Sequence, residues 1–204
     1  MLNYNFIAPY YHSLSRIIFF NRQHLAHFPI LNFLKEGDKV LWIGGGAGKF
    51  IPELEKLNIK LEIDYIDFSS EMIKIAEKNK TSNCKINFIT SDIFNYQLNK
   101  EYDVVMSTFL FDHFTQEKAQ ELFLKINRVI KNNGVWFYVD FSQNQKGWQK
   151  GITSLMLIFF KIVIGLNINQ LPKMKSIFED NFELIHQELF FKKYIESLVW
   201  RKKK

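Results

Sequence analysis

Hydrophobic and polar residues form two kinds of pattern along this chain. Short runs rich in β-branched and aromatic residues, each bounded by polar or glycine-containing stretches, predict strands. Between them, apolar residues recur every three or four positions, which predicts amphipathic helices. The predicted strands are Lys39–Ile43, Lys60–Ile66, Lys85–Thr90, Tyr102–Thr108, Val135–Phe141, Phe182–Phe191 and Lys193–Trp200.

The helical patterns fall between these strands, and their order predicts the fold class. The predicted helices are Lys49–Leu57, one from Ser69 or Ser70 to about Asn79, one from Ala119 that Asn132–Gly134 ends, Trp148–Leu166 and Lys173–Asp180. Alternating strands and helices predict an α/β fold, a doubly wound, mostly parallel sheet of seven strands. The last two strands are nearly contiguous, so we expect an antiparallel hairpin at its edge.

Composition and charge narrow the class of protein. With 204 residues, 47% of them hydrophobic, the chain can build the core of one domain. Its formal charge is +6, part of which lies in the terminal run Arg201–Lys204. Elsewhere lysines alternate with acids and no RNA-binding signature occurs, so we expect no nucleic-acid partner. Peripheral contact with an anionic membrane surface stays open as an alternative.

Cysteine content and apolar stretches indicate the compartment. Cys84 is the only cysteine, which excludes an internal disulfide and a multi-cysteine metal site, and we expect no metal. A reducing, cytoplasmic location follows. Residues 1–16 lack the pattern of a signal peptide, and the most apolar stretch, Ile152–Leu166, is too short to span a bilayer.

A glycine-rich loop directly after the first strand is the main candidate binding element. Glycines at 44, 45, 46 and 48 let the backbone pass close to a bound nucleotide or amino-acid moiety. A P-loop is excluded because Phe50 stands where Ser or Thr is required. A dinucleotide-binding loop is disfavoured because Lys49 stands where its fingerprint has the last glycine or an alanine. Asp67 ends the second strand, where its carboxylate can accept hydrogen bonds from ribose hydroxyls or cap the next helix.

These residues resemble the class I S-adenosylmethionine-dependent methyltransferases, especially the small-molecule group that includes ubiquinone and menaquinone C-methyltransferases. The resemblance covers roughly residues 4–141 and depends on the order of its landmarks. These are Val40–Gly48, Ile66–Met72 with Ala76, Ser91–Ile93, Tyr102–Val105 and the helix that leads to Gly134.

The resemblance implies S-adenosylmethionine as the cofactor and assigns residues to it. The glycine loop would pass under its methionine part, Asp67 would hold the ribose, and Asp92 would accept from the adenine amino group. Met72 is as well explained by the helix core, and Tyr11, in an amino-terminal lid segment, by simple packing. The implied cofactor-binding residues are Gly44, Gly45, Gly46, Gly48, Asp67, Phe68, Met72, Asp92, Ile93, Thr108 and Tyr11.

Two departures from the family pattern keep other functions open. Trp42 stands where the family has an acid that orients the methionine end, and His12 stands where the lid segment has Asp. Aminopropyltransferases show an apolar residue at the first position, but they need acids where this chain has Ala47 and Ser107–Thr108. An aminopropyltransferase-like enzyme and a non-catalytic binding protein of the same fold therefore stay as alternatives.

The expected chemistry is displacement of a methyl group from a sulfonium, in which alignment supplies most of the rate. For a phenol or hydroxyl acceptor, His113 is the candidate general base, with a structural role as the alternative. The apolar segment Ile152–Leu166 predicts a helical lid whose Phe159 and Phe160 face either an acceptor pocket or the core. If they face a pocket, the acceptor is small and apolar or aromatic, whereas burial against the sheet stays as the alternative for most of these residues. The oligomeric state stays open.

We expect a single methyltransferase domain over residues 1–204. Residues 1–35 would form a helical lid, residues 36–141 the cofactor-binding core, and residues 142–204 the acceptor-side helices and the hairpin.

Overall fold

The computed structural model describes residues 22–165 and 168–204 of the chain. Seven strands form one sheet in the order β3-β2-β1-β4-β5-β7-β6. The pairs β1–β2, β2–β3, β1–β4 and β4–β5 are parallel, whereas β7 pairs antiparallel with both β5 and β6. The strands are β1 Lys39–Ile43, β2 Leu61–Asp67, β3 Cys84–Thr90, β4 Tyr102–Thr108, β5 Ile130–Phe141, β6 Phe182–Phe190 and β7 Ile195–Lys202.

Helices connect these strands as the doubly wound pattern requires. The described helices are α1 Arg22–Leu25, α2 Ile51–Glu55, α3 Ser70–Ala76, α4 Gln116–Asn127, α5 Gly147–Ile164 and α6 Met174–Asn181. The predicted fold class and the carboxyl-terminal hairpin are thereby confirmed. Among the described residues, no helix has the length and apolar character needed to cross a membrane.

The connection from α4 to β5 differs from the prediction. Residues Asn132–Gly134 do not end the helix but lie inside β5, because α4 already ends at Asn127. The backbone N–H of Tyr102 donates to the carbonyl of Val129 at 2.8 Å, which draws the chain into the sheet five residues before the predicted start. This early start of β5 could not be predicted, because Asn132 and Asn133 are polar residues that do not fit the apolar pattern of a strand.

Each face of the sheet carries its own apolar core, and alternation along the strands assigns residues to them. On one face, Val40 and Trp42 of β1 pack with Tyr65 of β2. On the other face, Trp136 of β5 and Trp200 of β7 pack against the helices α4 and α6. Large aromatic side chains therefore fill both cores, as the aromatic content of 16% suggests.

Phe178 of α6 is the centre of the second core and offers a test of the fold. Its ring stacks on Trp200 with the centroids 5.1 Å apart and meets Trp136 edge-on at 4.8 Å. Phe178→Ala should lower the free energy of unfolding by about 3–5 kcal/mol, because it removes a fully buried ring from this stack. Urea denaturation measures the change. The exposed Leu124→Ala is the control, and an equal loss in both variants would contradict the assignment.

Candidate functional site

The glycine loop lies at the carboxyl edge of the sheet, where β1 runs into α2. The N–H of Gly44 donates to the carbonyl of Ile66 at 2.8 Å, so the loop begins beside the end of β2. Gly44, Gly46 and Gly48 all have positive φ angles, between +62° and +69°. A side chain at any of these positions would strain the backbone, because L residues rarely adopt this conformation.

The room for a Cβ at each glycine shows which glycines border open space and which are required by packing. A Cβ on Gly46 would meet nothing within 4 Å, so this glycine borders open space. A Cβ on Gly45 would lie 2.2 Å from the Tyr65 ring, and one on Gly48 would lie 2.7 Å from Ile51. Gly45 and Gly48 are thus required by packing beneath the loop, which the sequence pattern did not distinguish from ligand contact.

The carboxylate of Asp67 holds the glycine loop in place. Its two oxygens accept hydrogen bonds from the N–H of Gly46 and the N–H of Ser69, both at 2.9 Å. Burial raises the pKa of Asp67 above its ordinary value, and these two N–H donors oppose that shift. The side chain of Ser69, rather than Asp67, caps α3 by accepting from the N–H of Met72. The helix-cap alternative for Asp67 is therefore wrong.

Four other predicted cofactor-binding residues lie just after β2 and β3, at the carboxyl edge of the sheet. Phe68 is 55% exposed, Met72 is half-buried in the first turn of α3, and the side chain of Ile93 is buried. One oxygen of Asp92 accepts from the N–H of Phe94 at 2.9 Å. These positions form one border of the carboxyl edge, next to the glycine loop.

The end of β4 forms the opposite border. Thr108 is buried at the end of this strand, and Phe109 after it has a φ of +50°, a strained conformation for a bulky residue. A side-chain carbon of Leu110 lies 3.0 Å from the position of a Cβ on Gly44, so the loop after β4 contacts the glycine loop directly. Tyr11 lies outside the described residues.

Trp42 is buried in the first core, with 1% of its surface exposed. Its ring centroid lies 4.9 Å from that of Tyr65, whose hydroxyl donates to the carbonyl of Gly46 at 3.0 Å. The tryptophan therefore fills the space below the loop together with Tyr65.

Comparison with known proteins shows what the chain is similar to. A family described as "Methyltransferase domain" matches residues 40–134, which contain the glycine loop, Asp67 and Asp92 and make up just under half of the chain. Solved structures show the same fold. A methyltransferase from Methanosarcina mazei superposes with a TM-score of 0.60 at 17% identity, over 87% of this chain and 98% of that one. The magnesium protoporphyrin IX methyltransferase of Synechocystis, solved with bound S-adenosylhomocysteine, gives 0.63 at 17% identity, over 90% and 82%.

Curated relatives of this chain have different activities. A carboxy-S-adenosyl-L-methionine synthase from Nautilia profundicola is 32% identical over 126 residues, 60% of this chain and 53% of the relative. A malonyl-[acyl-carrier protein] O-methyltransferase from Ilyobacter polytropus is 26% identical over 159 residues, 76% of this chain and 60% of the relative. The chain thus spans little more than half the length of these relatives.

A buried pair of acids, Asp112 and Asp140, lies at the loop after β4. One oxygen of Asp140 accepts from the N–H groups of Phe111 and Asp112, at 3.1 and 3.2 Å. Burial and the neighbouring Asp112 carboxylate raise the pKa of Asp140 well above its ordinary range. The cap of α4 is Thr115, whose side chain accepts from the N–H of Lys118, so Asp112 does not serve as that cap.

His113 pairs with one of these two acids. Its Nδ1 is 2.9 Å from Oδ1 of Asp112. Burial alone would lower the pKa of the imidazole, but the Asp112 carboxylate raises that pKa above its ordinary value, and Asp67 acts in the same direction. His113 and Asp112 therefore form a largely buried ion pair in the loop after β4.

Two residues of this candidate site are not predicted from the sequence. Tyr65 supports the glycine loop from below, and Asp140 holds the loop after β4. An acid among the apolar residues of β5 is the signal that could have identified Asp140, because buried carboxylates need specific hydrogen-bond donors. For Tyr65, the sequence offers no such signal, since tyrosine is common in strands.

The pairing of His113 with Asp112 predicts a pH-dependent contribution to stability. Because the pKa of His113 is raised in the folded state, its stabilisation is fully present below about pH 6.5, the unfolded pKa, and is lost as pH rises through the folded pKa. His113→Gln should thus lower the free energy of unfolding more at pH 5.5 than at pH 9, as measured by urea denaturation.

The exposed pair of His186 and Glu188, 3.0 Å apart, provides the matched control for this prediction. His186→Gln should change stability by less than about 1 kcal/mol, since surface ion pairs contribute little. A His113→Gln effect that is equal at both pH values would show that the imidazole acts by packing alone.

Proposed function

We propose that this chain transfers the methyl group of S-adenosylmethionine to a small acceptor with an apolar body. The observation that carries the proposal is the glycine loop itself. Asp67 fixes this loop through Gly46, and the space above Gly46 is open. A loop held in this shape, with its N–H groups and a carboxylate at one edge, suits a ligand that combines an amino-acid part with a ribose.

The residues of the edge fit such a cofactor in order. The glycine loop would hold the methionine part, Asp67 the ribose hydroxyls, and Asp92 the adenine amino group. Backbone carbonyls of Gly44 and near Thr108 would accept from the cofactor's ammonium, since Trp42 offers no charge. Bound here, S-adenosylmethionine would supply an activated methyl group on a sulfonium, and the protein would contribute chiefly the alignment of the acceptor.

An apolar acceptor is supported by a band of aromatic rings along the carboxyl edge. Phe109 contacts His27 and Phe141, with ring centroids 6.2 and 5.5 Å apart. Phe141 in turn contacts Tyr194 at 5.1 Å, and Tyr194 contacts Trp148 of α5 at 6.0 Å. Because Leu110 beside Phe109 touches the glycine loop, the band begins next to the proposed cofactor site.

His113 is proposed as the general base for a hydroxyl acceptor. This role requires the neutral imidazole, whereas the Asp112 carboxylate favours the protonated form. His113 is also near Asp67, so the same side chain would contact the surroundings of the ribose. We also propose a cytoplasmic location, which is supported by the single cysteine, Cys84, being buried and free.

An aminopropyltransferase is less well supported by the end of β4. Such an enzyme needs an acid at this point, but the hydroxyl of Ser107 accepts from the indole N–H of Trp136 at 2.9 Å, inside the core. Side-by-side titration with S-adenosylmethionine and its decarboxylated analogue separates these functions. Tighter binding of S-adenosylmethionine is expected, and preference for the analogue would favour the aminopropyltransferase. Failure to bind either would contradict both.

The first prediction from this function concerns Asp67. Asp67→Asn should weaken S-adenosylmethionine binding by about 1.5–3 kcal/mol, because it removes a charged acceptor of the ribose hydroxyls. Isothermal titration calorimetry measures the change. Asp38→Asn is the control, since Asp38 also accepts a backbone N–H, from Lys35 at 2.8 Å, in a distant turn. Unchanged affinity in folded Asp67→Asn would show that this carboxylate serves only the loop.

A second prediction separates ligand space from backbone strain at the glycine loop. Gly46 and Gly37 both have positive φ, +62° and +82°, and a Cβ on either meets nothing within 4 Å. Valine at either position should cost similar stability through backbone strain. Only Gly46→Val should abolish cofactor binding in calorimetric titration. If Gly37→Val lost binding equally, strain rather than occupied space would explain the effect.

A further inference from the structure

The outer face of α5 is an exposed apolar stripe. Trp148, Leu155 and Ile162 recur every seven residues, which is about two helical turns, and they are 44%, 69% and 75% exposed. Ile158, 54% exposed, lies beside them. The opposite face of the helix is fixed to the protein: Gln149, Thr153 and Leu157 are buried there. The rotation of α5 therefore presents the stripe outward.

Unlike the rest of the chain, where lysines alternate with acids, the segment that contains this stripe has charges of a single sign. Between Phe141 and Phe178 the sequence contains no aspartate and no glutamate. The lysines in this interval are Lys146, Lys150, Lys161, Lys173 and Lys175. Lys150 and Lys161 lie on α5 itself, about three turns apart and therefore on one side of the apolar stripe. An apolar stripe flanked by lysines is typical of helices that lie in the interface of an anionic membrane.

We propose that α5 docks this protein onto an anionic phospholipid surface, with the stripe inserted at the level of the headgroups. Charge complementarity selects this occupant. Residues 1–21 contain no acid and include Arg16, so they cannot neutralise the lysines. A second copy of the chain would bring the same lysines into contact. A phospholipid surface with negative charge and an apolar interior matches both the lysines and the stripe.

The position of α5 connects this surface to the aromatic band of the site. Trp148 contacts Phe191 and Tyr194, with centroids 5.8 and 6.0 Å apart, and Tyr194 belongs to the band. An acceptor dissolved in the membrane would thus meet aromatic rings from α5 inward. Vesicle binding is measured without turnover. Its outcome therefore tests the docking of α5 separately from the proposed methyl transfer.

Sedimentation with vesicles tests the proposal. The full chain should bind vesicles of phosphatidylcholine containing phosphatidylglycerol and should bind pure phosphatidylcholine vesicles at least tenfold more weakly. Binding to the anionic vesicles should fall as salt rises, because the attraction of lysines is screened. Equal binding to both kinds of vesicle, or binding to neither, would overturn the proposal.

Neutral substitutions separate the apolar and the charged contributions. Leu155→Gln with Ile162→Gln should lower binding at least tenfold. The matched control is Leu124→Gln with Ile75→Gln, at positions 55% and 44% exposed on α4 and α3, which should bind normally. Lys150→Gln with Lys161→Gln should lower binding by about fivefold per lysine.

Two results with these variants would reject membrane docking. Equal loss of binding in the control pair would show that the effect is not specific to α5. A concentration-dependent dimer in gel filtration, abolished by the Leu155 and Ile162 substitutions, would assign the stripe to a second copy of the chain.

Discussion

The carboxylate of Asp67 is the interaction on which the arrangement of the site depends. It joins two chain segments that the sheet only brings near each other, the loop after β1 and the turn into α3. Because both of its oxygens accept backbone N–H groups, the glycine loop has one preferred shape before any ligand arrives. A ligand that used the same carboxylate would add to these bonds, since each oxygen has two lone pairs.

The constraint continues below the loop, where packing determines which glycines are possible. Tyr65 contacts Gly46 through its hydroxyl and leaves no room for a Cβ on Gly45, and Trp42 packs on Tyr65 in turn. An acid at position 42 would be placed among these rings and would need a partner to be stable there. The tryptophan is thus part of one aromatic unit with the loop above it.

The seven strands and the carboxyl-terminal hairpin could be predicted from alternation and apolar runs, and the strands β1 and β4 have the predicted ends. Where polar residues lie in a strand, as at Asn132 and Asn133 in β5, pairing with β4 overrode the local pattern. In the site, the glycines could be predicted because few other residue types adopt their positive φ angles. Asp67 could be predicted because a carboxylate at the end of β2 can accept several hydrogen bonds. Tyr65 and Asp140 could not, since their roles depend on neighbours distant in sequence.

The position of β7 has a consequence for the order in which the sheet is completed. β7 lies between β5 and β6, although β6 precedes it in the chain. During synthesis, β6 therefore emerges before β7, which is its partner among the described strands, and the edge of β5 stays open meanwhile. An open edge is a site for wrong pairing with other chains. This part of the sheet is thus completed only when β7 takes its place between β5 and β6.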